Sequence, residues 1–104
     1  MSTRKIEKER WTEYFDHLSN VSDSQLIKIE VVSMSIGDQV EVEDVEFAGI
    51  SYDNDVISIQ AGSLEHMVKQ PKEVFVLEDD DGLKSMEITD VEGSKHILSF
   101  KAAT

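Results

Sequence analysis

Cysteine is missing from all 104 residues, which removes disulfides, thiolate metal sites and cysteine nucleophiles and fits a reducing compartment. Proline occurs once, at Pro71. No apolar run approaches the ~18 residues a spanning helix needs, and the first residues carry charge instead of an apolar signal segment. The expectation is a soluble cytoplasmic protein. Also missing are a Gly-x-Ser-x-Gly elbow, a phosphate-binding loop and a dinucleotide fingerprint. Lysine and arginine number 10 against 22 acidic residues, for a net charge of −12. None falls between Lys28 and Lys69, an interval that holds Glu30, Asp38, Glu41, Glu43, Asp44, Glu46, Asp53, Asp55 and Glu65. Such a charge repels phosphate backbones and anionic lipid, so neither nucleic acid nor a membrane is an expected partner.

What is present is periodicity. The length fits one domain able to bury a core unaided. Residues 4–19 read as a helix, because Trp11, Tyr14, Phe15 and Leu18 recur at helical spacing and share one face. Three of the seven aromatics lie on it, so the face is expected to dock on a sheet as core. Asn20 is the expected stop.

From residue 25 to 100 the pattern is antiparallel sheet. Leu26–Val32 is a strand that Ser33–Ile36 extend, and Gly37-Asp38 starts the next. Gln39–Tyr52 alternates with parity slips, the mark of β-bulges, with Gly49 as a bend. Glu46–Gln60 forms a hairpin turning on Asp53-Asn54-Asp55, residue types that tolerate left-handed backbone. Leu64–Val68 reads as one helical turn capped by Ser63, and Pro71 hands over to a strand. Asp81-Gly82 and Glu92-Gly93 mark two further turns, and residues 101–104 read as a frayed tail. The expected fold class is α+β: an N-terminal helix packed on a strongly bent antiparallel sheet or small barrel of about six strands, in a meander.

A resemblance enters through specific motifs. They are Trp11, Phe15, Asp16 and Leu18; Gly49-Ile50-x-Tyr52-Asp53; Leu64-Glu65-His66-x-Val68-x-x-Pro71-x-Glu73-Val74-x-Val76; Gly82-Leu83-x-Ser85-Met86-Glu87-Ile88-x-Asp90-x-x-Gly93; and Ile97-Leu98. Over roughly residues 11–100 the chain resembles a family of small bacterial domains of unknown function. That resemblance implies a single domain and no particular activity. The helix followed by the Gly49–Asp55 hairpin is more weakly similar to Sm-like barrels; the acidic character of this region is unlike their RNA-binding surfaces.

Three functions are weighed. The first is a non-enzymatic protein-interaction or accessory module, monomer or homodimer, with no cofactor, metal or catalytic residue and with a partner of basic character. Its candidate surface is Glu41, Glu43, Asp44, Glu46, Asp53 and Asp55. The second is an acidic mimic of nucleic acid that occupies a basic protein. The third is a small enzyme or metal-responsive domain around His66, with Glu65, Tyr52 or Asp53 converging on it; Glu65, His66 and Tyr52 are its candidate loop residues. His17, His66 and His96 are the only histidines, and none is at metal-ligand spacing from another. The simpler role for His66 is a loop-fixing hydrogen bond to a backbone carbonyl. Asp79-Asp80-Asp81-Gly82 is not an EF-hand loop, since the register that fits Gly82 puts Leu77 at the first ligand position.

Overall fold

The structure, a computed structural model, describes residues 2–21, 25–80 and 82–102. Its elements in chain order are β1 (Ser2–Ile6), a 3₁₀ turn (Lys8–Arg10), α1 (Trp11–Val21), β2 (Gln25–Ser33), β3 (Gly37–Asp53), β4 (Val56–Ala61), β5 (Leu64–Lys69), β6 (Pro71–Asp79), β7 (Gly82–Asp90) and β8 (Lys95–Ala102). The strands form one open eight-stranded antiparallel sheet in the order β1-β6-β7-β8-β2-β3-β4-β5. The expectation of a bent antiparallel sheet under one N-terminal helix holds. The strand count, the barrel alternative and the simple meander do not: β1 pairs with β6, and β8 returns to lie beside β2.

The helix begins later than the periodicity suggests. Arg4 and Ile6 belong to β1, where backbone pairing with Val76 and Val74 supplies hydrogen bonds that a first helical turn would leave open. Ile6 is buried there as a strand residue. Only 11 residues remain in α1, too few to be stable alone in water. The helix is held by its apolar face. Trp11 and Phe15 are buried, with Tyr14 and Leu18 packed at the margin. Full burial of each large side chain contributes about 1.5–3 kcal/mol. Trp11 donates its Nε1–H to the carbonyl of Ile6 at 2.8 Å, tying the helix start to β1. At the other end the Ser19 hydroxyl accepts from Ile50 N–H and donates to Ile50 C=O, both at 3.0 Å. The helix runs through Asn20 to Val21 instead of stopping at Asn20. The loop expected at 22–24 lies outside the described residues.

β3 is the bent spine, 17 residues long. Its first half pairs with β2 and its second with β4. The parity slips are bulges. Ile29 faces Val42 while Glu30 faces Val40, so Glu41 is extra; Ile27 faces Val45, so the 43–44 stretch carries another surplus residue, with Asp44 at φ 56°. A third irregularity lies between Phe47 and Gly49, where the bend was expected. Each bulge turns the strand, and together they fold the β3–β4–β5 end over the rest of the sheet. The hairpin closes on Asn54 and Asp55, both with positive φ (52° and 61°), the backbone that a two-residue turn requires.

Three more expectations are corrected. Leu64–Val68 is not a helical turn but strand β5, paired residue for residue with β4; alternation sends Val68 inward and leaves Glu65 and Met67 outside. Six residues with one inward face gain more from the β4 ladder than from a single turn of helix. Met34–Ile36 turn instead of extending β2, and Met34 is fully exposed. Lys101 and Ala102 are not frayed; they pair with Leu26 and Gln25, and the rest of the expected tail, 103–104, lies outside the described residues.

Candidate functional site

The folding over of β5 brings together two side chains that the sequence keeps 30 residues apart. His66 Nε2 lies 2.9 Å from His96 Nδ1, and His96 Nε2 lies 3.0 Å from Asp90 Oδ2. Asp90, the last residue of β7, is fixed in turn: its Oδ1 accepts from the backbone N–H groups of Glu92 (3.0 Å) and Ser94 (3.1 Å). The short β7–β8 turn therefore places one carboxylate, and β8 stands His96 beside it. Both residues are buried, while His66 is half-buried.

With Asp90 ionised, donor counting fixes the tautomers. An ionised Asp90 only accepts, so His96 donates from Nε2 and keeps a lone pair on Nδ1. His66 then donates from Nε2, and its Nδ1 keeps the other lone pair. The His66 imidazole is held below its ordinary pKa, first by burial and then by the neighbouring His96; the Glu41 carboxylate acts in the opposite sense. Geometrically this is a hydrogen-bonded chain anchored at Asp90.

The residues expected to join His66 do not. Glu65 points to the outer side of β5 and accepts from Gln60 Nε2 at 3.0 Å. Tyr52 packs edge-on against Trp11, with ring centroids 5.0 Å apart. Asp53 closes β3 at the hairpin turn. His66 bonds a second imidazole, not a backbone carbonyl. The signal that was available is the strand parity of His96, which shares the inward face of Leu98 and Phe100. Nothing in the spacing of residues 66, 90 and 96 announces that they meet. Among the described residues, no group of three or more His, Asp or Glu side chains is placed to hold a metal ion.

The carboxylates of the candidate surface are exposed but divided. Glu41, Glu43, Asp44 and Glu46 follow the first half of β3, whereas Asp53 and Asp55 sit at its far end. Asp55 there lines a shallow groove with Lys8 and Lys72. Asp44 pairs with Lys101 Nζ at 2.8 Å, a contact that raises the lysine pKa. Glu30 is raised above its ordinary range, first by the hydrogen bond it shares with Asp38 and further by desolvation. Beyond the body, the β2–β3 arm carries exposed apolar side chains as well: Met34 (100%), Ile36 (61%) and Val40 (51%). The bulge at Glu41 is the reason Val40 faces outward while Val42 packs on the core.

At the opposite end, a cavity of about 530 Å³ opens between β1 and α1, lined by Arg4, Arg10, Tyr14, His17 and Glu78 among others. One carboxylate there, Glu78, takes two donors. Arg4 Nε donates to Glu78 at 2.9 Å and the Tyr14 hydroxyl donates to the same carboxylate at 3.1 Å. Burial, and then the Glu78 charge, push the Tyr14 phenol well above its usual pKa.

The protein is thus of the small helix-capped antiparallel class, with a partly buried carboxylate–imidazole–imidazole chain at the seam where the sheet folds on itself. Residues 2–104 match the model of a family of unknown function, DUF5335, and the chain belongs to that family. The resemblance carried by the Trp11, Gly49, Leu64 and Gly82 motifs is borne out at that level. An uncharacterized protein of Aquifex aeolicus (strain VF5) is 42% identical over 106 residues, covering 99% of this chain and 96% of that one. The crystal structure of the Bacillus subtilis YojF protein is similar in fold, with a TM-score of 0.58 at 12% identity, covering 97% of this chain and 94% of that one. Among the described residues, no helix is long and apolar enough to cross a membrane.

Proposed function

We propose that the chain is a non-enzymatic interaction module, cytoplasmic in setting, whose β2–β3 arm engages a basic protein. The observation that supports this reading is the arm itself. Exposed Met34, Ile36 and Val40 are interleaved with Asp38, Glu41 and Glu43, in an interval without lysine or arginine. Apolar anchors ringed by charge of one sign suit a protein surface with complementary charge. The same interleaving favours a protein socket over mimicry of a phosphate backbone, which would want carboxylates without large apolar neighbours. An enzyme around His66 finds less support, because Glu65, Tyr52 and Asp53 do not converge on it.

The test uses an amphipathic Lys/Leu peptide as probe, read by fluorescence anisotropy across a salt series. Glu41→Lys with Glu43→Lys is expected to weaken binding and flatten its salt dependence. Met34→Ser with Ile36→Ser is expected to weaken it with the salt slope kept. If both pairs of substitutions leave binding unchanged, the arm is not the docking element and the proposal fails.

A further inference from the structure

We infer that two copies of this chain associate through β5, antiparallel, with Met67 on the two-fold axis. This goes beyond the arm and uses a different strand. β5 is the last strand of the sheet and, among the described residues, pairs only with β4. The β4–β5 hairpin turns on Gly62 and Ser63, with Ala61 opposite Leu64. In a two-residue hairpin the pair flanking the turn exchanges its backbone hydrogen bonds, and the exchange then alternates. Leu64, His66 and Val68 therefore bond to β4, while Glu65, Met67 and Lys69 aim their N–H and C=O groups outward along the open edge. Their side chains are exposed, Met67 at 46%.

The edge is complementary to itself in one register. With Met67 facing Met67 of the second copy, each Glu65 faces the other copy's Lys69. All three outward-bonding residues of one strand then meet outward-bonding residues of the other, so the ladder continues without an unmatched group. Opposite charges set directly across an antiparallel pair are favourable and like charges are not. Placing the axis at Glu65 or at Lys69 would set like charge against like. The other open edge, β1, lacks this match: centred on Arg4 it would put Arg4 against Arg4, and its Arg4 and Lys5 are the kind of charge that blunts a strand edge. The His66–His96 bond holds β5 against the body and so keeps its edge in a fixed position. Each copy carries a net charge of −12, so long-range repulsion opposes association, and moderate salt favours it by screening.

Sedimentation equilibrium over a protein concentration series in moderate salt tests the inference. The wild-type chain is expected to shift from its monomer mass of 11.7 kDa toward twice that value. Glu65→Lys alone, and Lys69→Glu alone, create two like-charge pairs across the axis and should weaken dimerisation about tenfold or more. The combined exchange, Glu65→Lys with Lys69→Glu, restores opposite pairing and should recover the dimer. Circular dichroism and thermal midpoints establish that each variant is folded. A wild-type chain that stays at 11.7 kDa throughout overturns the inference. So does a dimer that is indifferent to the single exchanges, or one that the double exchange does not recover.

Discussion

Replacing His66 by phenylalanine is expected to cost less stability as the pH is lowered. At pH 7.5 the variant loses the bond from His66 Nε2 to His96 Nδ1 and strands a buried acceptor, together about 2 kcal/mol. For a domain of this size that lowers the thermal midpoint by roughly 10 °C. Acidification then acts on the wild type through His66. Burial and the neighbouring imidazole hold the folded-state pKa below the ordinary value of 6.5, so between the two values the unfolded chain binds more protons. Stability is therefore full above about 6.5 and falls as the pH drops below it, by at most about 1.4 kcal/mol per pH unit, until the folded pKa is passed. The variant has no such group, so the gap in urea midpoint between the two proteins should narrow from pH 7.5 to pH 5. Glu41→Gln should deepen the wild-type loss, because the Glu41 carboxylate favours the imidazolium. Midpoints that run parallel across this range would refute the reasoning, since His66 would then titrate alike in folded and unfolded chains.

Two further outcomes are expected. Ser19→Ala removes both bonds to Ile50 and should cost about 1–2 kcal/mol, with faster amide exchange at Ile50; an unchanged exchange rate there would mean that the aromatic face alone docks the helix. Val40→Ala should change stability by less than about 0.5 kcal/mol and Val42→Ala by about 1 kcal/mol or more, read from urea melts; equal effects would show that the bulge at Glu41 does not reverse the facing of the strand.

Local pattern alone determined much of this protein. The helical face of Trp11, Phe15 and Leu18, the parity slips of β3, the turn at Asn54-Asp55 and the surplus of carboxylates are properties of neighbours in sequence, and short-range sterics and hydrophobic period set them. Tertiary structure decided what depends on distant partners. The helical reading runs back from the Trp11 face to residue 4, yet pairing with β6 draws residues 2–6 into a strand. Leu64–Val68 is short enough for either state, and the β4 edge makes it a strand. The Asp90–His96–His66 chain exists only because bulges in β3 fold β5 over β8, a consequence that the residues near His66 do not encode.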